Sequence, residues 1–204
     1  MRILEGQQAF RDAINRSGGG ESNFLKLEDG ETVTIRFVQE FDESGSNYSE
    51  DRGKVFGTFE HIDPDDFTKS FACTAEDGRC AGCEKVAVNY KWRPKGRLFA
   101  NVIVRGGRGN EDKVKVFSTS LSKRNPLAGA ILEFNDEYKS LCDRDYKLKR
   151  EGLKLDTVYT LTPKDKTPLT KADEKVELVD LTNLVKRLSY DEQKELLGDD
   201  NEDW

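Results

Sequence analysis

Several things are scarce in this 204-residue chain: one histidine, one methionine, two tryptophans and four cysteines. No apolar run approaches the ~18 residues of a membrane-crossing helix. Nor is there a basic leader followed by an apolar stretch and a small-residue cleavage site, so the sequence reads as a soluble intracellular protein. In a reducing compartment, close cysteines more often bind metal or carry redox chemistry than form structural disulfides. Nucleotide-binding loops are missing too, because "GGRGN" at 106–110 lacks a following Gly-Lys-Ser/Thr and has no dinucleotide-site spacing. Duplex readers are disfavoured, since there is no helix dense in Arg or Asn at recognition spacing and no basic region feeding a coiled coil. Acidic pairs such as "DPDD" at 63–66 form no two-metal nuclease pattern, and the chain is read as a non-enzyme.

The charge that is present is unevenly placed. The formal total is −6, but acids exceed cations by eight over residues 1–80 and by five over 161–204, while cations exceed acids by seven over 81–160. A polyanion can bind such a middle despite the total, because local potential governs encounter and phosphate pairing.

Residues 1–19 are expected to form an N-terminal helical arm, stopped by the glycines at 18–20. "FLKLEDGETVTIRFV" alternates through Val33, Ile35 and Phe37 and suggests a strand, with Asp29-Gly30 as a hairpin turn. "KVFGTFEHI", Leu98–Val104, Val114–Ser118, "DYKLKREG" and "DTVYTLTP" add strand candidates, and "NPLAGAILEFNDEYKSL" a short helix. Short strands, polar loops and one helix predict a mainly β protein built on a small, strongly curved barrel rather than an α/β sheet. A helical segment is expected over 166–197, through Leu181, Leu184, Val185 and Leu188, with Ser189 and Glu192 spaced as a capping box. Residues 198–204 form an acidic tail ending in Trp204, too polar to order itself.

"CTAEDGRCAGC" carries the sharpest local signal. Cys80 and Cys83 form C-x2-C, Cys73 lies seven residues earlier, and His61 twelve before that. One Zn²⁺ takes four tetrahedral ligands of this type, so the set is complete and leaves no open position for a substrate water. The metal would be structural and would pin an inserted subdomain over 61–83, with Gly82 easing the turn. A redox pair, a catalytic Cys/His pair and inert buried thiols are the competing readings. Cys142 has no partner at useful spacing and is assigned to the core or its edge.

"NYKWRPKGRLFANVIVRGGRG" interleaves Tyr90, Trp92 and Phe99 with Lys91, Arg93, Lys95, Arg97, Arg105 and Arg108. Rings stack on unpaired bases and cations pair with phosphates, which is how single strands are held without sequence reading. Lys113, Lys115, Lys123 and Arg124 extend the charge, and Lys147, Lys149, Arg150 and Arg36 are further candidates for the same groove. Core placement of Phe99 is the competing reading.

Together, "FLKLEDGETVTIRFV", the His61, Cys73, Cys80-x2-Cys83 order and "NYKWRPKGRLFANVIV" followed by "KVKVF" resemble the zinc-bearing single-stranded-DNA-binding proteins of tailed phages. The resemblance covers roughly residues 20–165. It implies a closed oligonucleotide-binding (OB-type) barrel over residues 20–165, with a cationic, aromatic-lined cleft that protects single-stranded DNA during phage replication, recombination and repair in the cytoplasm of the infected host. It also implies a zinc subdomain ligated by His61, Cys73, Cys80 and Cys83. The chain departs from the T-even members in a shorter Cys73–Cys80 interval and a less basic arm, which bears on cooperative binding of neighbouring copies. The tail residues Asp199, Asp200, Glu202, Asp203 and Trp204 are expected to recruit replication or recombination proteins, the carboxylates steering the encounter and the ring entering an apolar pocket. A single-stranded-RNA module and a zinc-stabilised protein adaptor remain the alternatives.

Overall fold

A computed structural model describes residues 22–107 and 110–198. The expected arm at 1–19, Arg108 and the tail from Asp199 to Trp204 lie outside these residues. The described chain contains β1 (Thr32–Phe37), β2 (Phe56–Ile62), β3 (Ser70–Ala72), α1 (Ala81–Val86), β4 (Lys95–Val104), β5 (Lys113–Ser120), α2 (Pro126–Tyr138), β6 (Arg144–Glu151), β7 (Val158–Lys166) and α3 (Tyr190–Leu197).

These elements make a mixed α/β fold around one open seven-stranded sheet, which corrects the expectation of a closed OB-type barrel. The hydrogen-bonded path runs β3-β2-β4-β1-β6-β7, with β5 also paired to β4. Closure would need a ladder between β5 and β7, and none forms among the described residues. Helix α2 packs against both of those strands instead. Its start is set by Asn125, whose side chain accepts from the Leu127 N–H, and by Pro126 in the first turn, where a missing N–H costs nothing.

The Asp29-Gly30 turn forms with Gly30 at φ 77°, but it does not close a hairpin. The preceding segment pairs elsewhere: Leu25 donates to the Val116 carbonyl, and Val116 donates to that of Asn23. The residues after the turn form β1, which pairs with β4 and β6.

The long strand β4 is buried on both sides. One face joins Ile35, Phe37, Phe117, Ile131, Tyr146 and Leu148 in the main core through Leu98, Ala100 and Val102. The other carries Phe99 into a second cluster with Val116, Leu181 and Val185. Residues 181–188 are not the expected helix: Leu181–Asn183 is a short 3-10 turn that sets Leu181 against the sheet. Asn101 fastens this returning segment, with its amide donating to the Val179 carbonyl at 2.9 Å and its oxygen accepting from the Val179 N–H at 3.0 Å. The Ser189–Glu192 capping box is present at the start of α3.

Candidate metal centre and nucleic-acid interface

The four cysteine-cluster residues converge although they come from separate pieces of chain. His61 is on β2, Cys73 follows β3, Cys80 caps α1 and Cys83 lies inside it. Their ligand atoms all lie within 4.8 Å of one another. A tetrahedral ion with bonds of ~2.0–2.3 Å sets its ligand atoms ~3.6–3.8 Å apart. Cys83 Sγ lies 3.5 Å from Cys73 Sγ and 3.4 Å from His61 Nε2, close enough that small side-chain adjustments complete such a shell.

Orientation of the imidazole is fixed from behind. His61 Nδ1 lies 2.7 Å from the Trp92 carbonyl, which selects the tautomer with the proton on Nδ1 and leaves Nε2 facing the thiols. Burial holds the imidazole below its ordinary pKa, against the bond to Trp92, so it is neutral as a ligand must be. Burial pushes the Cys83 thiol up to about 12, helped by its bond to Cys73 and the neighbouring sulfur charges. For Cys80, burial is outweighed by hydrogen bonds from Thr74 and Cys83, which bring the thiol below its ordinary value. Three clustered sulfurs resist ionising together unless a cation neutralises them.

Gly82 serves the cluster by being small rather than by easing a turn. A Cβ there would lie 2.4 Å from His61 Cγ and 2.6 Å from Cδ2. Only glycine lets α1 approach the ring this closely. From the other side, α3 closes the lobe through Gln193, which is fully buried. Its Oε1 accepts from the Ala81 N–H at 2.9 Å, and its amide donates to Thr74 Oγ1 and to the Leu188 carbonyl, each at 2.9 Å.

Beside this lobe lies a cleft formed by two adjoining pockets. The outer part is lined by Phe59, Pro64, Phe67, Tyr90, Lys91, Arg93 and Lys95, and measures about 820 Å³. The inner part, about 540 Å³, contains Glu60, Arg97, Phe117, Ser118, Arg124 and Tyr159. Lys95, Gly96 and Ser120 border both. Phe59, Phe67 and Tyr90 are 55%, 74% and 69% exposed, an unusual grouping for large rings. Two of them are positioned by identifiable contacts. Arg93 donates to the Tyr90 hydroxyl at 2.9 Å and stacks its guanidinium 5.1 Å from the ring centre. Gly96 leaves space for Phe59, since a Cβ there would lie 3.2 Å from that ring.

The cleft gathers Tyr90, Lys91, Arg93, Lys95, Arg97 and Arg124 from the residues named by sequence. Others are elsewhere. Trp92 is only 6% exposed and packs with Phe71 and Cys80 behind the His/Cys cluster, so it is a lobe-core residue and not a stacking ring. Phe99 is buried against Phe56. Arg36 is buried with its Nε 2.6 Å from Asp145, and its other nitrogens donate to Cys142 and Thr167. Arg105 is held by Asp173, Asp112 and Asp145, which raise its pKa further, in that order of hydrogen bonding and charge. These four assignments to the groove are corrected by burial or by pairing.

Lys113, Lys115, Lys123, Lys147, Lys149 and Arg150 do not line the cleft. The Lys115 ammonium donates to the Ser22 carbonyl, Lys149 pairs with Glu151, and Arg150 bonds the Leu27 carbonyl. Leu148 faces the cleft, so alternation turns its neighbours Lys147 and Lys149 toward the opposite side of β6. Sequence reasoning missed Phe59, Phe67, Tyr159 and Glu60. Phe67 did carry a signal: an aromatic in "DPDDFTKS", without apolar neighbours, has no local core to enter.

The chain matches no protein-family model, no curated protein and no solved structure. Among the described residues, no helix is long and apolar enough to cross a membrane.

Proposed function

We propose that this chain binds single-stranded DNA in the cleft, reads no extended sequence there, and performs no bond chemistry. The observation that carries the reading is the co-location of three exposed rings with the exposed cations Lys91, Arg93, Lys95 and Arg124 around two adjoining pockets that share Lys95, Gly96 and Ser120. Rings offer stacking to unpaired bases, which a duplex conceals, and the cations offer phosphate pairing. Preferential binding of unpaired strands then destabilises duplex and hairpin structure by mass action.

The metal in this reading is one structural Zn²⁺ held by His61, Cys73, Cys80 and Cys83, the donor set that zinc favours and one with no ligand position left over. Bound there, it would supply charge neutralisation for the thiolates and fix the lobe that presents Tyr90, Lys91 and Arg93. The acidic residues 199–204 would recruit partners of the replication machinery, and the resemblance to phage proteins supports placing this activity in an infected bacterial cell.

Fluorescence polarisation of a labelled mixed-sequence strand of about 30 nucleotides tests the reading, with duplex and RNA as competitors. Four phosphate pairs give an expected slope of log K against log salt of about −3. Poor competition by duplex is expected. Absence of binding at low salt refutes the reading and leaves the protein adaptor in its place, whereas stronger competition by RNA reassigns the natural ligand.

A further inference from the structure

The His/Cys cluster is enclosed unevenly. A further pocket, of about 1030 Å³, runs from Thr58 and Phe59 on β2 to Arg187 and Tyr190, and of the four candidate ligands only Cys73 and Cys83 line it. His61 and Cys80 are 0% and 4% exposed. Cys80 packs with Phe71 and Trp92 in the lobe core and is held by hydrogen bonds from Thr74, whereas Cys73 and Cys83 are partly exposed.

The rim of this opening is fixed. Arg79 donates to the Tyr190 hydroxyl at 2.6 Å and to Glu84 at 3.1 Å, and its guanidinium stacks 3.9 Å from the Tyr190 ring centre. Tyr190 in turn donates to Glu84 at 2.8 Å. These contacts join α1 to α3 beside the thiols and leave the approach to Cys73 and Cys83 open.

Two sulfurs that share one opening and lie 3.5 Å apart form a chemical pair. Metal-held cysteines are thiolates, the form that attacks peroxides. Cys142, the remaining thiol, is buried in the main core. The C-x2-C spacing names Cys80 and Cys83 as the redox pair, but accessibility names Cys73 and Cys83.

Resting on the structural-zinc assignment above, we propose that Cys73 and Cys83 form an oxidation site, at which hydrogen peroxide joins the two sulfurs and expels the ion. Either thiolate attacks one peroxide oxygen; the O–O bond breaks, hydroxide leaves and takes up a proton as water, and the sulfur becomes a sulfenic acid. The other thiolate attacks that sulfur, the S–S bond forms, the S–O bond breaks, and hydroxide again leaves as water after protonation. Two electrons pass from the sulfurs to the peroxide, and two protons are consumed. His61 and Cys80 are then the donors left, too few for a tetrahedral ion. The new bond keeps α1 tied to the segment after β3, so a thiol reductant restores the site.

The test uses the full chain, reduced and loaded with zinc, then exposed to hydrogen peroxide beside a chromogenic chelator. Release of one ion per chain is expected, together with a linked Cys73–Cys83 peptide as the dominant disulfide in a non-reducing digest. Dithiothreitol followed by added zinc is expected to reverse both. Retention of zinc, or release without this link as the dominant one, overturns the proposal while leaving the zinc assignment standing. A reduced chain that takes up no zinc overturns the assignment and the release together.

Discussion

Replacing Gly82 by alanine is a small change with opposed consequences. Inside a helix, glycine costs roughly 0.5–1 kcal/mol relative to alanine, so propensity alone makes Gly82→Ala mildly stabilising. Packing reverses the sign. The new methyl would sit 2.4 Å from His61 Cγ and 2.8 Å from Nδ1, about 1 Å inside ordinary carbon contact. The ring cannot yield without losing the 2.7 Å contact to the Trp92 carbonyl or moving Nε2 away from the thiols. Overpacking of this kind costs about 1–3 kcal/mol, and loss of an orienting contact lowers metal affinity about 10–100-fold. Competition against a chromogenic zinc chelator measures affinity, and thermal melting with and without zinc measures the linked stability. An affinity equal to wild type would refute the argument that close approach, rather than backbone freedom, requires glycine at this position.

Phe59→Ala or Tyr90→Ala should weaken oligonucleotide binding by about 1–3 kcal/mol with little change in melting temperature, read by polarisation and calorimetry. Trp92→Ala should instead lower stability by about 3–5 kcal/mol, read from the urea midpoint, because its ring fills the lobe core. Chelating the metal should raise hydrogen exchange in α3 as well as around Cys73–Cys83, since Gln193 bonds both; protection confined to the old level in α3 would show the two to be uncoupled. Burial pushes the Asp173 carboxyl up, but hydrogen bonds from Arg105 and Thr170 outweigh it, and its pKa falls to about 2. A depressed carboxyl pKa gives stability that is complete above the unfolded value near 4 and lost as pH drops through about 2. Asp173→Asn should therefore cost roughly 1–2 kcal/mol at pH 7 and progressively less in acid, by denaturant titration across pH.

The His/Cys cluster was legible because C-x2-C spacing and a lone histidine state their chemistry locally. Position of the strands was legible too, since alternation marks β1, β5, β6 and β7 and an apolar run marks β4. Closure was not, because whether two edges meet depends on what lies between them, and α2 occupies that place. Tyr90 and Trp92 illustrate the same limit at residue scale. Two positions apart on one 3-10 turn, they point to opposite sides, so one ring is exposed and the other buried. Arg36 looked available from its own strand alone, but Asp145 and Thr167 arrive from more than a hundred residues away to enclose it. Phe59 follows the strand pattern of a core residue, yet among the described residues no segment covers it and its ring is exposed.

The side chain that closes the lobe belongs to a residue translated long after the ligands it covers. Gln193 lies 112 residues beyond Ala81, an interval of roughly 6–22 s on a ribosome adding 5–20 residues per second. During that time a metal ion could reach the four candidate ligands while their future cover is still unmade. Loading of a metal ion would then be favoured early and its retention late, so the order of synthesis itself would act as a one-way valve for the ion.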